Sequence, residues 1–305
     1  MDFFAVLLSM FLLFVVMGIG YFLWKFGALD GNRVHLISHV LVNIAIPALT
    51  IMSMQMPNTL QVVGMVDRTL LIAFAYYILA FVASLGICRF LPSTGPETGV
   101  FRFMLVFPNV GFMGIPVAEA VFGPGSLFYV ILFNIPFNLL AFTMGVWLLA
   151  QGQSKKPTLR ILLTPGLVAS ILGLGLFFAG IHIPWPVDTV LDWTGKMTTP
   201  LAMLVVGALL ATLPTARLAG DWRVWVITAF RLVVFPIIAY AVLAPFITDK
   251  LLLGTMVLLI AMPIAAYAVL LSEEYRVDAT LASQGVFLST VMSMVTIPVL
   301  VFLLF

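Results

Sequence analysis

Residues 106–123 read VFPNVGFMGIPVAEAVFG, an apolar stretch that two prolines and two glycines interrupt. Pro108, Gly111, Gly114 and Pro116 fall within nine residues. Proline removes a backbone donor and clashes with the preceding helical turn, and glycine lowers helix propensity. The stretch therefore predicts a helix that unwinds for a few residues. The alternative is a continuous but kinked helix that small residues pack closely.

The composition of the whole chain places this stretch in lipid. Its 305 residues are 63% hydrophobic and only 9% charged, whereas soluble domains are about half apolar and about a quarter charged. Non-helical backbone at membrane depth is tolerated only where protein or a water-filled cavity surrounds it. An unwound stretch inside a membrane helix therefore indicates a functional cavity, and an ordinary soluble protein is excluded.

Ten apolar stretches are long enough to cross a membrane, which takes about 20 apolar residues per helix. They cover residues 3–24, 34–54, 69–90, 100–122, 126–150, 161–180, 189–212, 223–246, 251–272 and 280–304. The spans predict an all-α polytopic membrane protein. Basic residues concentrate in and around the odd-numbered connections, so the positive-inside rule predicts a multi-pass protein of the cell (inner) membrane with both termini outside the cytoplasm.

The two halves of the chain look like an inverted repeat. Shifting the first half by 155 residues lays Pro108 on Pro263 and lays two asparagines of span five on two serines of span ten. A five-helix repeat necessarily enters the membrane from opposite faces in its two copies. We expect a first repeat over 1–150, a short cytoplasmic linker over 151–160 and a second, inverted repeat over 161–305.

Span nine carries the counterpart of the first break. It has one internal proline, Pro263, followed by small residues, so we expect a weaker break there than at Pro108. If both helices open at equivalent depths they would cross, and their half-helix N-termini would aim partial positive charge at one point. Asn109 would add a directional donor, with Gly111 beside it. Neither broken segment contains lysine or arginine, so an anion would be attracted by dipoles and amides.

Polar pairs in spans five and ten are further candidates for substrate binding. Asn134 and Asn138 are four residues apart on one face of span five, as Ser289 and Ser293 are on one face of span ten. Such side chains also serve as hydrogen-bonding glue between membrane helices. The pattern leaves substrate contact and a structural role equally open.

Three charged residues are candidates for coupling or gating. Arg231 is the one basic residue well inside a span, where burying a charge is costly. It would act as an anion attractor or gate, or it would pair with a carbonyl or carboxylate in a structural role. Glu119 and Glu273 end the broken spans four and nine, where they could exchange protons or form solvated helix ends.

Several other classes of function find no support in the sequence. A net charge of +2 without basic clusters gives no reason to expect a nucleic-acid partner. Cys88, the one cysteine, excludes an internal disulfide, and His35 with His39 lacks a third metal ligand nearby. We expect no metal and no cofactor. No convergent nucleophile, acid and base points to an enzyme.

Three runs resemble the auxin efflux carrier family, including its bacterial malonate and organic-acid permeases. They are LVNIAIPALTIMSM at 41–54, FPNVGFMGIPVAEAVFG at 107–123 and AMPIAAYAVLLSEEYRVDATLASQGVFLSTVMSMVTIP at 261–298. The resemblance covers essentially the whole chain. It implies ten helices in two inverted repeats with broken, crossing helices four and nine, as in sodium/proton antiporters.

By this resemblance, Pro108 and Pro263 match the crossover prolines, and Asn109 matches the polar position that would hold a carboxylate. The chain departs from the family pattern at Tyr267, where bacterial relatives commonly place an asparagine. That difference weakens any direct transfer of substrate identity.

The resemblance also implies a division of labour between helices. Spans one, two, six and seven would form a scaffold and a homodimer contact, while spans three to five and eight to ten would form a moving transport domain. Span six has small residues at helical spacing, which indicates close helix or subunit contact. These are Gly166, Ser170, Gly175 and Ala179.

The predicted function is secondary active transport of a small organic anion, such as malonate or an auxin-like acid, by elevator-type alternating access. Its partners would be that anion and the lipid bilayer. The alternative is a cation-coupled symporter or antiporter of the same fold, followed by a channel or a membrane sensor.

Overall fold

The computed structural model describes residues 3–57, 59–150, 164–212 and 221–304, and within these ranges it contains helices and no β-strand. The linker predicted over 151–160 lies outside the described residues. The α-helices are, in chain order, α1 (Phe3–Lys25), α2 (Gly31–Val40), α3 (Ile46–Ser53), α4 (Leu60–Phe90), α5 (Gly95–Val106), α6 (Ile115–Phe122), α7 (Ser126–Leu140), α8 (Val146–Leu149), α9 (Pro165–Ala179), α10 (Val187–Lys196), α11 (Thr198–Thr212), α12 (Trp222–Ala229), α13 (Phe235–Leu243), α14 (Lys250–Ile260), α15 (Tyr267–Glu274) and α16 (Ala279–Leu304).

The lengths and apolarity of the helices confirm a polytopic membrane protein. Among the described residues, seven helical stretches are long and apolar enough to cross a membrane. They are Leu7–Lys25, Gly31–Ser53, Val62–Phe90, Ser126–Leu149, Val187–Thr212, Trp222–Leu243 and Ala279–Leu304. Shorter apolar helices cover Val110–Phe122, Pro165–Ala179 and Lys250–Ile260. Large apolar side chains are widely exposed on the surface, as a lipid environment requires.

Five-residue π-helical segments interrupt some of these helices. They are Leu41–Ala45, Val110–Gly114, Ala141–Gly145 and Phe230–Val234. Three of these segments lead directly into an α-helix with proline in its first turn, namely Pro47, Pro116 and Pro236. A proline cannot bond the carbonyl four residues earlier, and a widened turn accommodates its ring.

The described residues divide into two compact units. The first unit comprises the described residues within 1–71, 111–135 and 162–212. In it α1 lies along α11, and α3 packs on α9 and α10. The second unit comprises the described residues within 72–110, 136–161 and 213–305. In it α16 packs against α15 and α12, and α5 packs against α8.

The second unit contains both predicted helix breaks. In span four the α-helix stops after Val106, and residues 107–109 are non-helical. The glycines that follow, Gly111 and Gly114, lie in the π-helical segment and do not unwind further. In span nine residues 261–266 are non-helical. The expectation of a weaker break in span nine was therefore wrong, because backbone pairing between the two breaks holds Ile264 and its neighbours in an extended conformation.

Candidate functional site

The two broken segments pair with each other through their backbones. Pro108 and Ile264 form an isolated antiparallel bridge. On one side the Asn109 N–H donates to the Pro263 carbonyl at 2.7 Å, and on the other the Ala265 N–H donates to the Phe107 carbonyl at 3.0 Å. Backbone groups released from a helix in a membrane need partners. Each broken segment thus supplies hydrogen-bond partners for backbone groups of the other. This pairing keeps both segments non-helical.

A serine of α16 holds the second break from outside the bridge. The Ile264 N–H donates to Ser289 Oγ at 3.0 Å, and Ser289 is fully buried. Its neighbour one turn on, Ser293, is also fully buried but donates to the Thr290 carbonyl of its own helix at 2.6 Å. Of the two serines predicted for the site, Ser289 therefore bonds to the second broken segment, whereas Ser293 bonds within α16.

Arg231 lies at the inner ends of the two half-helices α5 and α14. It is fully buried, and its Nη2 donates to the Ile260 carbonyl at 2.7 Å and its Nε to the Met262 carbonyl at 3.1 Å. Its Nη1 donates to the hydroxyl of Tyr76 and, at 3.4 Å, to the Leu105 carbonyl. These contacts match the structural alternative for Arg231, in which its guanidinium pairs with backbone carbonyls.

Asn109 presents a buried amide beside the backbone bridge. The residue is 4% exposed, and no described residue hydrogen-bonds its side-chain amide. Its amide atoms are not among the fully buried, unpartnered polar atoms of the described residues, so they keep some accessible surface through which a ligand can reach them. The amide has two donor hydrogens and an acceptor oxygen, which makes it the strongest candidate ligand group among the residues named from sequence.

Aromatic rings pack around the bridge within the second unit. Tyr77 stacks on Phe107 with ring centroids 5.8 Å apart. The ring of Tyr267, at the position where the chain departs from the family pattern, lies 6.1 Å from that of Phe137 and 5.3 Å from that of Phe142. The residue that replaces an amide here is thus part of an aromatic cluster.

The first unit holds other residues that were predicted for the site. A Cβ atom added to Gly111 would lie 3.9 Å from Oδ1 of Asn134, so this glycine faces that amide. Asn134 also donates through Nδ2 to the Val130 carbonyl of its own helix at 3.0 Å. Asn138 belongs to the second unit. The two asparagines of α7 therefore fall in different units.

The acidic candidates have different surroundings. Glu119 on α6 accepts a hydrogen bond of 2.7 Å at Oε2 from the Thr199 hydroxyl on α11, within the first unit. Glu273 is exposed in the last turn of α15. Glu119 therefore has a defined partner on another helix, and Glu273 has the exposure of a solvated helix end.

A family model described as "Membrane transport protein" matches residues 5–301. The chain belongs to this family, the auxin efflux carriers. A protein of Rhizobium meliloti (strain 1021) named "Putative malonate transporter" is 25% identical over 240 residues, covering 75% of this chain and 74% of that protein. An "Uncharacterized transporter" of Methanothermobacter thermautotrophicus is 24% identical over 93% of both chains. "Uncharacterized transporter YfdV" of Escherichia coli (strain K12) is 22% identical over 94% of both.

Membership of the auxin efflux carrier family confirms the resemblance identified from the sequence and makes the chain a membrane transport protein.

One residue near the paired breaks was not predicted from the sequence. Tyr76 bonds Arg231 across 155 positions of the chain, and it was not among the predicted residues. A buried arginine needs acceptors, but nothing in the sequence selects Tyr76 over the adjacent Tyr77.

Proposed function

We propose that this protein is a secondary active transporter of a small organic anion, and that the anion binds at the paired helix breaks. The observation that carries the proposal is Asn109, a residue only 4% exposed whose side-chain amide makes no hydrogen bond among the described residues and is therefore available to a ligand. An amide N–H₂ group can donate to a carboxylate, and hydrogen bonds to a charged group are the stronger ones. The malonate named for the Rhizobium meliloti relative is such an anion.

The remaining parts of the proposal concern architecture and movement. Ten spans in two inverted five-helix repeats would bring Pro108 and Pro263 to equivalent places, and the antiparallel bridge beside them supports this. Spans one, two, six and seven would form the scaffold and the homodimer contact, and the remaining spans would move as an elevator. Both termini would lie outside the cytoplasm, in the inner membrane of the cell.

The other candidate contacts, Gly111, Asn134 and Asn138, rest on the sequence pattern alone. Gly111 and Asn134 face each other in the first unit, and Asn138 lies on the same helix as Asn134. Ser289 would act by fixing the second break, because its hydroxyl accepts from the Ile264 N–H. We assign Asn109 the direct contact with the carboxylate.

The test is uptake of labelled malonate and other small carboxylates into liposomes that contain the purified protein. Asn109→Ala should raise KM about tenfold or more, because a hydrogen bond to a charged group contributes about 1.5–3 kcal/mol. Asn43→Ala is the matched control, since the Asn43 amide already donates to the His39 carbonyl at 2.8 Å. Unchanged flux in the Asn109→Ala protein would refute the assigned site.

Coupling to a cation is the second candidate, and one observation favours it. Glu119 is a half-buried carboxylate that accepts from a neutral hydroxyl, Thr199, instead of from a cation or a helix N-terminus. Glu119 would then be the coupling carboxylate. In that case an imposed pH gradient should drive carboxylate flux in the parent protein, and Glu119→Gln should abolish that drive. A carboxylate flux that does not change with the imposed pH gradient would exclude proton coupling.

A further inference from the structure

Arg231 is the charged residue that the proposed binding function leaves unexplained. It is fully buried in the π-helical segment Phe230–Val234, near the middle of a membrane span. Among the described residues, no carboxylate lies within ion-pair distance of its guanidinium. A charge in such a place without a carboxylate partner is costly and needs a compensating interaction.

The compensation comes from the carbonyl ends of both broken helices. The last carbonyls of an α-helix have no intrahelical partner and together carry about half a negative charge. Arg231 donates to the carbonyl of Ile260, the last residue of α14, and to the carbonyl of Met262 in the broken segment that follows. At the end of α5 it donates to the Leu105 carbonyl and to the Tyr76 hydroxyl, which itself donates to the Val106 carbonyl at 3.1 Å.

One cation therefore offsets two helix ends of the same sign. Without it, about one negative charge would collect beside Asn109, where the proposed anion has to bind. The four hydrogen bonds use four of the five guanidinium donors, and the side chain has no exposed surface. Arg231 can thus influence a bound anion through its charge and by fixing the two helix ends, but not by touching it.

We propose that Arg231 is a positioning residue of the anion site: it fixes the inner ends of α5 and α14 and supplies the unit charge that permits an anion to bind there. The inference rests on the proposed function. It predicts that the effect of Arg231 on affinity depends on the charge of the ligand, because the interaction of two charges scales with their product.

The experiment compares binding of malonate with binding of monomethyl malonate at a pH where malonate is a dianion. In Arg231→Gln, the affinity for malonate should fall about tenfold more than the affinity for the monoanion. Arg231→Lys keeps the charge and loses the forked geometry, so both affinities should fall by similar factors. Tyr76→Phe is the matched control, because it removes a hydrogen bond of the same network and no charge.

The possible results separate a charge role of Arg231 from a purely structural role. Equal losses for both ligands in Arg231→Gln would overturn the charge role and leave Arg231 as a structural cap only. If Arg231→Gln does not fold, Arg231→Met replaces it with the same two readings, and a malonate-to-monoanion ratio in Arg231→Lys that differs more than about twofold from the parent would also overturn the charge role. Failure of the parent protein to bind any carboxylate would instead overturn the proposed function.

Discussion

The hydroxyl of Thr199 and the carboxylate of Glu119 lie 2.7 Å apart, joining α11 to α6, the half-helix that follows the first break. The two residues are 80 positions apart in the chain. In the elevator proposal α11 belongs to the scaffold and α6 to the transport domain. A hydrogen bond between them must then open whenever the transport domain moves.

Thr199→Val should therefore accelerate transport. Removing a hydrogen bond to a charged acceptor loses about 1.5 kcal/mol of stabilisation of this conformation, which corresponds to a rate increase of up to about tenfold if movement limits the cycle. Exchange of labelled substrate across liposomes measures that rate. Thr194→Val is the control, since the Thr194 hydroxyl bonds the Val190 carbonyl of its own helix. A slower Thr199→Val protein would argue against such a lock.

Ser289→Ala should destabilise the second break. The substitution leaves the buried Ile264 N–H without its acceptor, and an unsatisfied buried donor costs about 1–3 kcal/mol. We expect a lower free energy of unfolding in detergent and a lower transport rate. Ser293→Ala, which removes a hydroxyl bonded to its own helix, should have the smaller effect on both measurements. The reverse order would show that the Ser289 contact does not hold the break.

The sequence was sufficient to predict where the two helices break and that Asn109 lies directly after the first crossover proline. Proline chemistry is local, so Pro108 and Pro263 could be identified from their neighbours alone. The second break was expected to be the weaker one, because its pairing with the distant segment around Pro108 cannot be read from its own residues. The partners of Arg231 are mainly backbone carbonyls, and every residue has one, so residue type carried no signal for them.

Close helix packing shows the same limit of sequence reasoning. Spacing of small residues in span six indicated a tight contact, yet a Cβ atom added to Gly166 or Gly175 would meet nothing within 4 Å in this chain. In span six the close approach is made instead by Gly173, which faces Met54 of the segment after α3, and still tighter backbone approaches occur at Gly20 and Gly207 between α1 and α11. The spacing of small residues indicates that close packing can occur but does not identify the partner helix.

The ionic cluster of Arg223, Glu97 and Asp221 should make stability depend on pH. The Thr94 N–H and then Arg223 lower the pKa of Glu97, and Arg223 lowers the pKa of Asp221. A carboxyl group whose folded-state pKa is lowered contributes stability above its unfolded-state pKa, and that contribution is lost as the pH falls through the folded-state value. The free energy of unfolding should thus decrease as the pH falls from about 6 to about 3.

Arg223→Gln tests the origin of that dependence. Arg223 donates to Asp221 at 2.7 Å and to Glu97 at 3.2 Å, and the three side chains are partly exposed. Their combined contribution should be about 1 kcal/mol. The difference in unfolding free energy between parent and variant should be largest near neutral pH and should narrow in acid. A difference that stays constant with pH would assign the dependence to other groups.

Gly207→Ala should destabilise the packing of α1 on α11. A Cβ atom at Gly207 would overlap the Met17 carbonyl oxygen, and one at Gly20 would overlap the Leu204 carbonyl oxygen. Each of these glycines therefore allows the backbone of the facing helix to come close. Because the obstacle is backbone and not a flexible side chain, the helices must separate, at a cost of about 1–3 kcal/mol. Gly18→Ala is the matched control, since nothing lies within 4 Å of its added Cβ atom. Thermal unfolding in detergent should show a clear loss for Gly207→Ala and little change for Gly18→Ala, and equal effects would show that helix propensity outweighs packing at this contact.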